Sequence, residues 1–475
     1  MIISVLSSGH CLKKMNYTHN VPIPKKNDPQ LVSDYQPISL NNVVSRIVSK
    51  VLANRLKLIL PNVISDSQSA FIPNRLITNN ITVAFEVLHR IKNKRTGRTR
   101  QMVVKLDISK AYNHVEWSFL ELIMQKLGLD AQWIQLAIET VRTASYSILI
   151  SGDPLSPYIF LLCAKGLSTL IRNAVSSQRL HDLLSCTNGV CISHLLFDDD
   201  SFIFCHATID ECHHLLAILE SYEEASGQAI NRQKTSLFFS RNTRPEIRAD
   251  IQHMLGARIM EDCEKYLGLP MVGGKSKVNT FRELHEKINK RVLGWKEKFI
   301  SKAGREVLIK TVAQAIPTYS MGIFKLPKAL CDSINSILAK YWWGQTKDKK
   351  KIHWINWKKL CTVKANGGMG FRNIQAFNMA MLAKQAWRLL HNTHSLFYRV
   401  YKSRYFPECS FMDADLGSNP SYVWRSLLAA RDDLKEGAYW RVGWKAYWLA
   451  YPSLAATQAL FPWGRATRYA GLRID

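Results

Sequence analysis

The sequence predicts an α+β fold that gives way to an all-helical second half, on three observations. Between residues 101 and 240, short apolar runs bounded by turn residues alternate with long runs at helical spacing. After residue 290 the strand signals stop, and basic, tryptophan-rich helical patterns take over. Of the 13 tryptophans only Trp117 and Trp133 come earlier. The hydrophobic content of 47% over 475 residues is that of a packed chain, not a disordered one. That length suits about two or three domains.

Taken in order, the stretch up to Asn42 carries scattered prolines and reads as extended. Arg46 to Leu60 places Ile47, Val51, Leu52, Leu56, Ile59 and Leu60 at helical spacing, with Pro61 as the stop. A second helix is expected from Asn80 to Lys94, closed by Gly97. "MVVKLDI" is a buried strand ending at Asp107, and "SPYIFLLCAKGLSTLIRNAV" is a long helix opening at Pro157. "VCISHLLF" and "SFIFC" form a hairpin around an acidic turn. Thr208 to Glu211 is a T-x-x-E capping box whose helix ends at Gly227, and "TSLFFS" is the last strand. Setting aside the helices and the short strand Ser145 to Ile150 that intervene, the order is β-α-β-β-α-β, the split ferredoxin-like unit. Domain seams are expected near residue 272, after "YLGLPMVGGK", and near residue 345, at "GQTKDKKK".

That topology sets the third strand antiparallel beside the first. The turn holding Asp198, Asp199 and Asp200 then faces Asp107. Clustered carboxylates suit a hard cation such as Mg²⁺, and two such ions ~4 Å apart clamp an in-line displacement in polymerases and nucleases. The rest of the chain has the opposite sign. Lys plus Arg number 64 against 37 Asp plus Glu, a net charge of +27, which attracts polyanions.

Other function classes are excluded. No apolar run reaches the ~20 residues of a bilayer helix, and Tyr158 to Ala164 is closed off by Lys165. Met1 to Leu6 is too short for a secretory signal. The ten cysteines form no C-x-x-C pair and read as free thiols of a reducing compartment. Cys205, His206, Cys212, His213 and His214 have no standard zinc spacing and read as core thiols and exposed imidazoles. "GGKS" at Gly273 to Ser276 lacks the first glycine of a phosphate-binding loop, which would fall at Leu269. Trp342, Trp343, Trp354 and Trp357 bracket the basic run Lys347 to Lys351. They read mainly as core residues of amphipathic helices, with base stacking as the alternative.

Seven blocks resemble, in order, those of LINE-type (non-LTR) retrotransposon reverse transcriptases, most closely the plant versions: "YQPISLNNVVSRIVSKVLANRLK", "SQSAFIPNRLITNN", "KLDISKAYNHVEW", "GDPLSPYIF", "SHLLFDDDSFIFC", "GQAINRQKTSLFF" and "KYLGLP". The resemblance runs from about residue 9 to about residue 436 and implies a right-hand polymerase. Residues 1–272 would form fingers and a ferredoxin-like palm, 273–345 a helical thumb, and 346–475 a basic, Trp-rich C-terminal region. It implies a fragment without the endonuclease domain of such elements. The implied activity is that of an RNA-directed DNA polymerase, a nucleotidyltransferase using two Mg²⁺ ions, or Mn²⁺. Its partners would be an RNA template, a DNA primer and dNTPs, with no membrane and no required protein partner. The implied location is a nuclear or cytoplasmic ribonucleoprotein.

Residue by residue, the resemblance makes Asp107, Asp199 and Asp200 the metal-binding carboxylates. Lys234 would neutralise the leaving pyrophosphate, and Tyr112 would crowd a ribonucleotide 2′-hydroxyl. Arg75 would meet the triphosphate, and Tyr266, Leu267 and Gly268 would grip the primer end. The chain departs from the family at Gln36 (Arg expected), Asn113 (Asp expected) and Asp198 (Ala expected), where a third carboxylate adds repulsion. At Ile150-Ser151-Gly152 the family's hairpin and its G-L-R-Q are missing, and after Glu436 the pattern is lost. Activity impaired by that deletion is therefore expected. The rival readings are a catalytically dead nucleic-acid-binding remnant and a pseudogene product.

Overall fold

The structure is a computed structural model describing residues 18–31, 34–109, 115–142, 153–184, 189–260, 265–271, 277–295, 300–345, 351–441 and 447–450. Tyr112, Asn113, the expected strand from Ser145, the junction Ile150 to Gly152 and all but the end of the basic run at Lys347 lie outside these residues. The chain divides into two compact units, Met1–Glu261 and Asp262–Asp475.

The first unit opens with an antiparallel pair, β1 (Thr18–Pro24) and β2 (Tyr35–Asn41). Helix α1 (Val43–Val63) follows, its first turn capped by the Asn42 side chain accepting from the Val44 amide at 3.0 Å. The helix passes through Pro61, where the sequence predicts a stop. So near the C-terminus the proline forfeits one hydrogen bond, and the last turn closes on Ile64 donating to the Leu60 carbonyl at 2.9 Å. Helix α2 (Ile77–Asn93) precedes β3 (Gln101–Ser109), and α3 (Trp117–Lys126) and α4 (Ala131–Arg142) come next. Helix α5 (Ser156–Ser176) leads to the short pair β4 (Leu183–Leu184) and β5 (Cys191–Ile192).

The hairpin β6 (His194–Phe197) and β7 (Asp200–His206), helix α6 (Ile209–Ser226), and β8 (Ala229–Ile230) and β9 (Ser236–Phe239) complete the predicted unit. Helix α7 (Pro245–Leu255) and β10 (Arg258–Ile259) close it. The main sheet runs β10-β9-β3-β7-β6, with β8 paired to the end of β3. Its four predicted strands therefore lie fourth, first, third, second, the split β-α-β-β-α-β arrangement. Strand β3 is antiparallel to both neighbours.

Alternation along β3 decides what each sheet face does. Met102, Val104 and Leu106 pack on Leu167 and Ile171 of α5 and on Leu215, Leu219 and Tyr222 of α6. Helix α5 is apolar enough to pass for a membrane span by length and composition, which corrects the sequence expectation that no run comes close. The share buried inside the fold is 61% over its most apolar window, so here it serves as a core helix. Lys105 and Asp107 alternate with the core residues and belong to the other face. Thr208 caps α6 by accepting from the Glu211 amide, and Gly227 ends it at φ 71°, both as the sequence predicts. Among the described residues seven cysteines are free, with Cys163, Cys205, Cys212 and Cys331 buried, in line with the reading as core thiols.

The second unit begins with a hairpin, β11 (Lys265–Tyr266) and β12 (Leu269–Pro270), and is otherwise mostly helical. Helices α8 (Arg282–Leu293), α9 (Lys302–Leu308), α10 (Lys328–Trp343), α11 (Ile374–His391), α12 (Leu396–Tyr405) and α13 (Tyr422–Ala429) carry it. Its aromatics are mainly structural. Trp424 is fully buried, stacked on Tyr405 at 4.3 Å and on Phe406 at 5.8 Å, and Trp357 stacks on Phe371 at 4.8 Å. Trp342 is buried, whereas Trp354 is 78% exposed.

Candidate active site

Backbone register builds the site. Strand β3 pairs with β7 so that Asp107 lies opposite Asp200, and β6 pairs with β7 so that Phe197 lies opposite Asp200. Asp198 and Asp199 are therefore the two loop residues of a hairpin beside Asp107. Directly paired strand residues have Cβ atoms about 5 Å apart, so the carboxylates are brought together by pairing alone. Beyond Asp107, β3 continues to Ser109, two residues past the predicted end, because Ile108 and Ser109 pair with β8. The Asn231 amide donates to the Asp107 carbonyl at 2.8 Å, and the turn it begins delivers Lys234, whose Nζ lies 3.4 Å from Asp107 Oδ2.

Burial, with like charge secondary to it, leaves a signature. Burial, with Asp199, Asp107 and Asp198 adding repulsion, pushes Asp200 up to about 6 despite Lys105, whose Nζ is 4.0 Å away. Loss of surrounding water and, secondarily, the facing Asp107 raise Asp199, although that residue stays exposed in the turn. Lys105 is a site residue the sequence reading missed. Its signal was available, since Lys105 shares the sheet face of Asp107 two positions before it.

Asp198 adopts φ 53°. A positive φ at the first of two loop residues is the demand of a type II′ hairpin turn, which Gly meets best and Asp better than Ala. The family's Ala would thus exchange charge relief for backbone strain of about 1 kcal/mol. Asp198→Gly removes both. In metal-free buffer near pH 8, thermal unfolding should rank Asp198→Gly above wild type, with Asp198→Ala below the Gly variant. Equal midpoints for the three would mean that Asp198 neither repels its neighbours nor strains the turn.

The sequence profile of the reverse transcriptase (RNA-dependent DNA polymerase) family matches residues 23–271. The chain belongs to the reverse transcriptase family. It is 43% identical over 130 residues to an uncharacterized mitochondrial protein of Arabidopsis thaliana, covering 27% of this chain and 84% of that protein. A transposon TX1 uncharacterized 149 kDa protein of Xenopus laevis is 24% identical over 421 residues, 83% of this chain and 30% of that protein. The retrovirus-related Pol polyprotein from the type-1 retrotransposable element R2 of Popillia japonica is 22% identical over 252 residues, 48% of this chain and 33% of that protein. The chain spans a third or less of these two transposable-element relatives. The match to a non-LTR retrotransposon reverse transcriptase read from the seven blocks thus stands.

Reverse transcriptases use divalent metal ions, and the residues here fit one. Asp107, Asp199 and Asp200 are hard oxygen donors set side by side by the strand register, which is the chemistry a divalent cation takes. They would hold the metal.

The other expected residues fall as follows. Tyr112 lies outside the described residues. Arg75 is 84% buried at the side chain and turns its guanidinium onto main-chain carbonyls at the end of α1. It donates to Ser65, to Gln68 at 2.7 Å and to Ile64 at 2.9 Å, with Asp66 at 3.6 Å. In this reverse transcriptase Arg75 thus locks residues 64–68, and Gln68 bridges to Leu196 of β6. Charge-assisted bonds of this kind predict that Arg75→Ala loses about 2–3 kcal/mol in denaturant unfolding. A change under 0.5 kcal/mol would show these bonds to be dispensable.

Tyr266, Leu267 and Gly268 occupy the β11–β12 hairpin, with Leu267 at φ 49° and Gly268 at φ 78°, the two positive φ values of a type I′ turn. The Tyr319 hydroxyl donates to the Leu267 carbonyl at 2.9 Å, and Tyr266 is fully buried beneath. The turn is thus held rigid within the second unit.

Proposed function

We propose that this chain is the polymerase core of a LINE-type retroelement. It would add dNMP from dNTP to a primer 3′-hydroxyl on an RNA or DNA template and release pyrophosphate. The observation that carries the proposal is the strand register that opposes Asp107 to Asp200, beside Asp198-Asp199 and within reach of Lys234. Asp107, Asp199 and Asp200 would hold two Mg²⁺ ions, which lower the pKa of the attacking hydroxyl and offset phosphoryl charge. Lys234, beside Asp107 and largely exposed, would neutralise the leaving pyrophosphate. Tyr112 would exclude ribonucleotides. Arg75 would act on the triphosphate through the loop that it locks. Tyr266, Leu267 and Gly268 would seat the primer end.

In this reading residues 1–272 carry fingers and palm, 273–345 form the thumb, and 346–475 form the C-terminal region. Primer extension with Mg²⁺ tests the reaction, and weak extension is expected here because the family's G-L-R-Q stretch is absent before Gly152. Binding should survive that loss. The charge of +27 predicts a salt-sensitive grip on an RNA–DNA duplex, with a log–log slope of about −4 or steeper once five phosphates are contacted. Fluorescence anisotropy across a salt series measures it, and a flat response removes the duplex as partner.

A further inference from the structure

At the other end of β3 from Asp107 lies a second cluster with different chemistry. Gln101 pairs with His206 six residues from the Asp107–Asp200 pair, about 20 Å along the strand. Beside His206 are Glu211, in the first turn of α6, and His181, between α5 and β4. Glu211 Oε1 lies 2.8 Å from His181 Nδ1 and 3.3 Å from His206 Nδ1. The two imidazoles stack nearly parallel, 4.9 Å apart at 7°, and the three ligand atoms lie within 4.8 Å of one another.

The capping-box pattern predicts that Glu211 turns back to the amide of Thr208. Its carboxylate goes elsewhere. Oε2 accepts from the backbone amides of His206 at 3.0 Å and His181 at 3.2 Å, which orients the group and leaves Oε1 toward both rings. Capping of α6 does not need the imidazoles, because the Thr208 hydroxyl already serves the Glu211 amide. The His181 side chain is 53% exposed, so one side of the cluster is open to water.

We propose that His181, His206 and Glu211 form a binding site for a zinc-class transition-metal dication, with water as the fourth ligand. Zinc takes imidazole nitrogen and carboxylate oxygen at about 2.0–2.2 Å, so tetrahedral ligand atoms stand about 3.3 Å apart. Two of the separations here already match that spacing to within half an ångström, and the third closes when His181, 53% exposed, turns out of the ring stack so that both lone pairs converge. The backbone amides on Oε2 are the outer-shell partners that orient a ligating carboxylate. Such an ion would staple the segment after α5, the end of β7 and the start of α6. It would be structural and separate from the aspartates. The histidine pattern in the sequence concealed it, because the second imidazole, His181, lies 25 residues before His206, and Glu211 reads locally as a capping residue.

The test uses the full chain with excess Mg²⁺ present to occupy the aspartates. Titration with Co²⁺ should give visible d–d absorption saturating at one equivalent, displaced by Zn²⁺. Zn²⁺ should also raise the unfolding midpoint. His181→Ala, at a half-exposed position, should keep the fold while weakening both effects at least tenfold. No d–d band in the wild-type chain overturns the proposal, and so does a response unchanged in His181→Ala. Neither result depends on whether the chain extends a primer.

Discussion

Inserting a family-like hairpin ending in Gly-Leu-Arg-Gln between Ser151 and Gly152 is expected to raise Mg²⁺-dependent primer extension by about a hundredfold or more, because phosphoryl transfer is mostly positioning and ~1 Å of misplacement costs that much. The downstream side of the junction is already fixed. Asp153 is largely buried. Its Oδ1 accepts from the Leu155 amide at 2.8 Å, and its Oδ2 from Asn41 Nδ2 at 3.0 Å. Helix α5 therefore starts in a defined place and packs into two cores, one against α1 and α3 and one beneath the sheet. An insertion upstream of Asp153 meets an anchored helix and need not reorganise it. By the family resemblance, the missing part is the Gln and its neighbours that would line the pocket for the templating base and the incoming nucleotide. Single-nucleotide incorporation on a primed RNA template measures the gain. Full extension by the unmodified chain would show the stretch to be dispensable. A repaired chain that binds primer–template and still fails to extend would move the fault to Gln36 or Asp198.

Most of what positions the aspartates was legible in sequence, because it rests on period and order. Strands with a period of two, helices with caps, and the β-α-β-β-α-β succession suffice to set Asp107 beside Asp198-Asp199-Asp200. The parts that were not legible depend on backbone and loop geometry that no period encodes. Arg75 stands in a recognisable block, yet its partners are carbonyls from Ser65, Gln68 and Ile64, and no spacing rule identifies main-chain acceptors. Pro61 predicts a helix stop because proline is costly in helix interiors, but in a last turn the cost is one bond. The charge of Asp198 says nothing of its backbone. Its φ of 53° adds a preference that Asp meets less well than Gly and better than Ala.

The cluster of His181, His206 and Glu211 illustrates the same limit from the side of chemistry. Local spacing separated His206 from any ligand pair, and Glu211 carried a complete local explanation as the third helical residue of a capping box. Only the amide donors from His181 and His206 show that this explanation is half right. A residue with a satisfactory local role can thus be committed to a distant one.

In the repaired chain, Asp107→Asn is expected to lower extension by about 10³-fold, the scale of losing one preorganised electrostatic group, while duplex binding changes little. The amide keeps the shape of the side chain but removes the charge that compensates a cation for its lost water. Asp200→Asn should abolish extension as well and in addition reveal a trade between stability and function. With Asp200 at about 6 in the folded chain against about 3.9 unfolded, the native state holds the proton longer. Stability therefore falls as pH rises from about 4 to 6 and stays lower above that window, since over it the unfolded chain binds fewer protons. Asp200→Asn lacks this penalty. Without metal it should unfold later than wild type at pH 8, by up to about 2 kcal/mol once screening by water is allowed for, and match it near pH 4. Added Mg²⁺ should restore wild-type stability at pH 8 and do little for Asp107→Asn. A wild-type unfolding midpoint that ignores both pH and Mg²⁺ would mean that the carboxylates neither repel one another nor hold a metal, and the acidic turn would then be only a turn.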